Sequence, residues 1–73
     1  MKPVYIDEDG KKYTIGVSIK KKVYHICVAE PGLVTEYRPH PILPHMYERE
    51  LAVEMLQAYA ERRKLKQVMV NEM

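Results

Sequence analysis

The clearest pattern along the chain is the alternation of apolar with polar or small residues from Tyr13 to Ile19. A period of two is typical of a strand that has one buried face. Val4-Tyr5-Ile6 before it is short and rich in β-forming residues, and Val23 to Ala29 after it is a third apolar run. The pattern predicts strands at about 3–7, 12–19 and 22–29.

Two turns are expected to join these strands. Asp9-Gly10 can supply the positive φ values of a two-residue type I′ turn, which would set Ile6 opposite Tyr13. A two-residue turn at positions 20 and 21 sets Ile15 opposite Ile26, so both hairpins bury the same face. The residues assigned to this helix-facing side are Val4, Ile6, Tyr13, Ile15, Val17, Tyr24, Ile26 and Val28.

The second half of the chain predicts an edge strand, a connector and a helix. Pro31-Gly32 is a turn signal, and a fourth, outer strand could follow at 33–38. The Pro-rich stretch 39–44 reads as an extended connector, because proline interrupts regular structure. A 3.6-residue period then predicts a helix at about 45–66, with an apolar side made of Tyr47, Leu51, Met55, Ala58, Tyr59 and Leu65.

The expected fold class is therefore α+β, as one small domain over residues 1–73: a three- to four-stranded antiparallel β-meander with one C-terminal amphipathic helix packed on one face. The tail, 67–73, could extend the helix, pair as a strand or do neither. A chain of 73 residues with one cysteine has a small core and no intramolecular disulfide. No basic and apolar leader and no membrane-spanning run occurs, so a cytoplasmic location with no membrane partner is expected.

Catalytic motifs are absent from the sequence. It has no glycine-rich phosphate loop, no nucleophile elbow and no paired acids, so no enzyme activity and no cofactor are expected. Cys27 and His25 lie two apart on one strand, and such neighbours share a face without necessarily touching. A remote alternative is a zinc site, since zinc accepts thiolate and imidazole ligands. Its candidate ligands are His25, Cys27, His40 and His45.

Positive charge is concentrated in two stretches, although the formal net charge is only +2. A lysine-rich β-ribbon could bind nucleic acid through phosphates. A three-stranded sheet followed by a helix also resembles, in element order, the arm-type DNA-binding domains of phage integrases. The residues of this hypothesis are Lys11, Lys12, Lys20, Lys21, Lys22, Arg62, Arg63, Lys64 and Lys66. The simpler alternative is that the lysines keep the turn soluble.

Self-association is the favoured hypothesis, with the protein acting as a small non-enzymatic binding or regulatory module. The sheet face away from the helix is expected to carry small or mildly apolar residues that a partner would cover. Arg62 is expected near the centre of the helix's apolar side, where a lone charge would be costly unless it is paired. The proposed homodimer interface comprises Tyr5, Thr14, Gly16, Ser18, Val23, His25, Cys27, Val34 and Arg62.

Overall fold

The central hairpin of the protein joins strand β2, Lys12–Ser18, to strand β3, Val23–Ala29. In the computed structural model, which describes residues 3–32 and 36–68, Ile15 lies opposite Ile26 and Tyr13 opposite Val28. This is the predicted register. The turn spans four residues, 19–22, rather than two, and Lys22 adopts a left-handed backbone with φ 54°.

The first hairpin differs from the prediction by one residue. Strand β1, Val4–Ile6, pairs with β2 so that Tyr5, not Ile6, lies opposite Tyr13. The turn is a five-residue loop, 7–11, because the Asp7 carboxylate accepts hydrogen bonds from the N–H groups of Asp9 and Lys11, both at 2.9 Å. An aspartate side chain that accepts backbone N–H groups in this way holds a longer loop in place of a tight two-residue turn. Val4 and Ile6 therefore lie on the face away from the helix, and Tyr5 lies on the helix side.

The outer edge of β3 is covered by two short pieces of the connector. Strand β4, Arg38–Pro39, pairs with β3, and Met46 forms an isolated bridge with Tyr24 through hydrogen bonds of 2.7 and 2.8 Å. Within the described residues, the expected strand at 33–38 is present only from Arg38. Residues 33–35 of that prediction lie outside the described part of the chain. Pro39 belongs to the edge strand, where a missing N–H is tolerated.

Helix α1 spans Arg49–Arg63, which is shorter at both ends than the predicted 45–66. It starts later because Met46 is engaged in the bridge to Tyr24. It ends at Lys64, whose φ of 56° and ψ of 42° are left-handed. The N–H of Leu65 donates to the carbonyl of Ala60 at 2.9 Å, and the N–H of Lys64 to that of Glu61 at 3.3 Å, which together form a Schellman motif.

After this sharp ending, strand β5, Lys66–Val68, pairs antiparallel with β1. The described residues form a five-stranded antiparallel sheet in the order β4-β3-β2-β1-β5, with the helix on one face, which confirms the α+β class. The sequence left three alternatives open for the tail, 67–73. Its first residues, 67 and 68, pair as part of a strand. No helix of the described residues is long and apolar enough to cross a membrane.

The buried side of the helix is rotated relative to the prediction. Its buried residues are Ala52, Leu56, Tyr59 and Ala60, whereas Ala58 is exposed and Leu51 and Tyr47 are 45% and 74% exposed. Leu56 and Tyr59 supply the large side chains of this contact, and Ala52 and Ala60 supply the small ones. The core cluster on this side comprises Tyr5, Tyr13, Ile15, Ile26, Ala52, Leu56, Tyr59 and Ala60.

Candidate binding surfaces

The sheet face away from the helix is partly buried within a single chain. Thr14, Val23 and Cys27 are only 6%, 3% and 8% exposed, although the helix lies on the other side. The Thr14 hydroxyl donates to the carbonyl of Pro3 at 2.8 Å. Since these side chains are already out of solvent, they supply no physical reason for a partner to cover this face.

Two residues of the predicted interface lie elsewhere in the structure. Tyr5 belongs to the helix-side core, because the first hairpin is shifted by one residue. Arg62 is exposed and lies outside the buried side of the helix, so it needs no compensating carboxylate. Gly16, Ser18 and His25 do lie on the expected face, and Val34 falls outside the described residues.

The structure separates the basic residues into two groups at opposite ends of the molecule. The first group, Lys20 to Lys22, is exposed at the tip of the β2–β3 hairpin, where none of the three forms an ion pair within residues 3–32 and 36–68. The second group, Arg62 to Lys66 together with Lys11 and Lys12, lies near the acidic loop 7–9. Lys11 is itself paired with Glu30 at 3.7 Å. The basic residues therefore do not form one continuous surface.

The histidines and the cysteine are not brought together as one site. The rings of His25 and His45 are 6.0 Å apart, whereas the ring of His40 packs on Tyr59 on the helix side of the sheet. Cys27 is buried, with its sulfur against Gly16. Among the described residues, no group of three or more histidine, cysteine, aspartate or glutamate side chains is arranged to hold a metal ion.

At the hairpin end of the molecule the sheet extends beyond the start of the helix. Val17 is 56% exposed and Ile19 is 85% exposed. A shallow apolar groove of about 150 Å³ lies there, lined by Ile15, Gly16, Val17, Tyr24 and Arg49. We call this region the hairpin end, comprising the groove, Ile19 and the lysine turn 20–22. It combines exposed aliphatic side chains with positive charge.

At the opposite end a polar cluster connects the acidic loop to the helix. The Tyr13 hydroxyl donates to Asp7 Oδ2 at 2.9 Å, and the Tyr13 ring packs on the Tyr59 ring with centroids 5.6 Å apart. The Tyr59 hydroxyl lies 3.4 Å from His40 Nε2, and the Arg63 guanidinium lies 5.5 Å above the Tyr59 ring. Tyr13 and Tyr59 are 7% and 8% exposed, so the cluster is built into the core.

The hydrogen bonds of His40 define its protonation. Its Nδ1 lies 3.2 Å and 3.3 Å from the backbone N–H groups of Ile42 and Leu43 and accepts from both. An acceptor nitrogen carries no proton, so the ring is neutral and the proton is on Nε2, facing Tyr59. Burial, and to a smaller extent the nearby Arg63 charge, lower the pKa of His40 in agreement with this assignment.

Two further groups of the cluster have shifted pKa values. Burial, and then the hydrogen bond to the Asp7 carboxylate, raise the pKa of Tyr13 above its ordinary value. Burial raises the pKa of Asp7, but its hydrogen bonds from the Lys11 N–H, the Tyr13 hydroxyl and the Asp9 N–H outweigh this and the pKa is lowered. The tyrosine therefore stays protonated and the aspartate stays charged near neutral pH.

Sequence reasoning missed this cluster as a unit. Tyr13 and Tyr59 entered only as residues of apolar faces, whereas His40 and Arg63 entered under separate hypotheses. The residues are far apart in the chain, and the contact between Asp7 and Tyr13 depends on a loop held by the Asp7 side chain itself. The one local signal is the acidic triplet 7–9 directly after a strand.

No protein family, curated protein or solved structure matches this chain. No matching structure therefore supports the resemblance of element order to the integrase domains.

Proposed function

We propose that this chain is a non-enzymatic binding module that acts as a homodimer joined through the hairpin end. The observation that carries the proposal is the exposure of two aliphatic side chains close together in the chain: Val17, which lines an apolar groove, and Ile19, in the turn that follows. Isolated exposed aliphatic residues are common, but a cluster next to a groove favours a covered surface.

Charge supports a second copy of the chain as the partner. The turn carries three lysines, whereas the helix start, residues 48–54, carries Glu48, Glu50 and Glu54 against one arginine. Arg49 lines the groove, so the helix start lies at the same end as the turn. A two-fold axis through the groove would place the turn of each copy beside the helix start of the other. The lysines of one copy would then face the glutamates of the other at two symmetry-related places.

The buried cluster at the other end supports binding rather than catalysis. A general base or nucleophile needs a free lone pair at working pH. His40 Nδ1 is occupied by two backbone N–H groups, the pKa of Tyr13 is raised, and both oxygens of Asp7 accept hydrogen bonds. These groups are engaged in holding structure.

The first test of the dimer is the effect of one exposed isoleucine. We expect sedimentation of the wild type at micromolar concentration to give twice the mass of one chain, and Ile19→Thr to weaken association at least tenfold. Ile42→Thr is the matched control, because Ile42 is 83% exposed against 85% for Ile19 but lies at the opposite end. A wild type that sediments as one chain would refute the dimer.

A charge swap tests the arrangement of the two copies. Lys20→Glu, Lys21→Glu and Lys22→Glu together should dissociate the dimer, and so should Glu50→Lys with Glu54→Lys. Mixing the two variants should restore a heterodimer, because each turn then meets a helix start of opposite charge. If both variants remain as dimeric as the wild type, the charges do not lie at the interface.

Nucleic-acid binding through the turn is the second candidate, favoured by three exposed lysines without an ion pair in the described residues. Three phosphate contacts predict that log K falls with log salt with a slope of about −2.7. Replacing Lys20, Lys21 and Lys22 by serine should abolish the retardation of duplex DNA, while Arg62→Ser with Lys64→Ser should leave it unchanged. No retardation at low salt would eliminate this candidate.

A further inference from the structure

The end of the molecule opposite the hairpin end contains a cleft between the acidic loop and the end of the helix. It has a volume of about 240 Å³. Glu8 and Asp9 lie on one wall, Arg63 and Lys64 lie on the other, and the buried rings of Tyr13 and Tyr59 line it between them. Charges of opposite sign thus line the same small space.

These opposite charges are not within ion-pair distance of each other. Within residues 3–32 and 36–68, no ion pair joins Glu8 or Asp9 to Arg63 or Lys64. Asp7, in contrast, is fully engaged by Tyr13 and by the loop N–H groups, so it holds the loop in place. The walls are therefore fixed by the Asp7 hydrogen bonds on one side and by the Schellman ending of the helix on the other.

Arg63 is positioned to bind while remaining in place. Its guanidinium lies over the Tyr59 ring, 5.5 Å from the centroid. A guanidinium held over a ring by cation–π attraction has five N–H donors, and these can still bind a carboxylate. The Tyr59 ring in turn cannot shift freely, because it also contacts Tyr13 and His40.

We infer that this cleft binds a small zwitterion with an apolar side chain, of the chemical class of a free α-amino acid. Its carboxylate is held by Arg63 and Lys64, its ammonium group by Glu8 and Asp9, and its apolar part lies against the tyrosine rings. The volume fits this size, since sites for drug-sized ligands are typically about 300–1,000 Å³. The inference deepens the proposed binding role and does not depend on the dimer.

Three probes that share one phenyl ring test the charge requirement. They are phenylalanine, phenethylamine, which has the ammonium group alone, and 3-phenylpropanoate, which has the carboxylate alone. In an NMR titration of the full chain, phenylalanine should shift the amides of residues 7–9 and 63–65 and bind at least tenfold tighter than either analogue. Equal binding of all three probes, shifts confined to other residues, or no shifts up to about 20 mM would overturn the inference.

Paired variants then assign the walls. Arg63→Gln should weaken phenylalanine binding at least fivefold and leave phenethylamine binding unchanged, whereas Arg62→Gln, an exposed neighbour outside the cleft, should change neither. Glu8→Gln with Asp9→Asn should weaken phenylalanine binding and leave 3-phenylpropanoate binding unchanged, whereas Glu36→Gln, at an exposed position outside the cleft, should change neither. Equal effects of Arg62→Gln and Arg63→Gln would contradict the assignment.

The two proposals fail separately. The sedimented mass of each sample reports on the dimer at the hairpin end, and the amide shifts of residues 7–9 and 63–65 report on the cleft. A monomer that binds phenylalanine would refute the dimer and retain the cleft. A dimer that binds none of the probes would retain the dimer proposal and refute the cleft proposal.

Discussion

Gly16 and Cys27 lie on neighbouring strands and are in close contact on the face away from the helix. A Cβ atom built on Gly16 would lie 2.5 Å from Cys27 Sγ, which is closer than real side-chain contacts allow. This contact contributes to the burial of Cys27, which is 8% exposed. At this position the residue without a side chain makes room for the thiol.

Replacing Gly16 by alanine should lower the free energy of unfolding by about 1–3 kcal/mol, because the added methyl group overpacks the contact with Cys27. The double variant Gly16→Ala with Cys27→Ala should recover most of this loss, since the thiol is gone. Urea unfolding of the four proteins in a double-mutant cycle gives the coupling directly. Additive effects of the two changes would show that the contact is not tight.

The hydrogen bonds of His40 constrain its charge state. Protonation would place a hydrogen on Nδ1 against the two backbone N–H groups that it now accepts from. The pKa of His40 is lowered in the fold, so between that lowered value and the unfolded value of about 6.5 the unfolded chain binds more protons. Stability is therefore fully present above about pH 6.5 and is lost as the pH falls through the folded pKa.

The variant His40→Asn should remove this part of the pH dependence, because the asparagine oxygen can accept the same N–H groups without titrating. We expect urea midpoints of the wild type to fall between pH 7.5 and 5 by more than those of the variant. The Asp7 carboxyl contributes at lower pH, since its pKa is lowered from 3.8. Identical pH profiles for the two proteins would contradict the assigned role of His40.

Both ends of the helix are set by contacts that the apolar periodicity of the sequence does not predict. The start is delayed to Arg49 by the bridge between Met46 and Tyr24, and the end is fixed by the left-handed Lys64. A lysine at this position is unusual, because a Cβ atom is unfavourable there and glycine is the common choice. The sharp ending is what turns the chain back so that β5 can pair with β1.

Lys64→Gly should raise the free energy of unfolding by about 0.5–1 kcal/mol, since glycine adopts the left-handed conformation without the Cβ penalty. Gln57→Gly, at an exposed position inside the helix, should instead lower it by about 1 kcal/mol. Thermal and urea unfolding of both variants measure the difference. A loss of stability in Lys64→Gly would mean that the lysine side chain stabilises the fold by more than its Cβ atom destabilises the left-handed backbone.

At the scale of the whole molecule, the sheet order β4-β3-β2-β1-β5 places the first and last described strands side by side. The two basic groups therefore separate, one at the hairpin end and one beside the acidic loop. The molecule has two different ends: an apolar and basic one suited to a macromolecular partner, and a cleft with charges of both signs. The proposed dimer uses one end and leaves the other accessible.

The pairing of the chain ends can be tested through Val4 and Val68, which lie opposite each other in the β1–β5 register. A double-mutant cycle with alanine at both positions should give a coupling of about 0.5 kcal/mol, as for other directly opposed apolar pairs. The control cycle pairs Val4→Ala with Gln67→Ala, because Gln67 lies opposite Tyr5 on the other face. Equal coupling in both cycles would place β5 in a different register.

The sequence by itself determined the α+β class, the β2–β3 register and the existence of the helix. Each depends on a long periodic run, whose apolar side must be buried whatever surrounds it. The same reasoning failed for Tyr5 and Ile6, because the short strand β1 has too few residues to fix its own register and the Asp7 loop decides it. It also failed for part of the helix, because Leu51 and Ala58 are exposed while Ala52, Leu56 and Ala60 are buried in their place.

Only the tertiary structure decided the candidate sites. The cleft requires loop 7–9, the strand residue Tyr13 and the helix end to meet, and of these only the acidic triplet 7–9 has a signal in the sequence. The exposure of Val17 and Ile19 likewise depends on where the helix begins relative to the sheet, which the Met46 bridge sets. Contacts between residues distant in the chain are selected by packing and hydrogen bonding of the whole fold, so periodicity along the sequence cannot contain them.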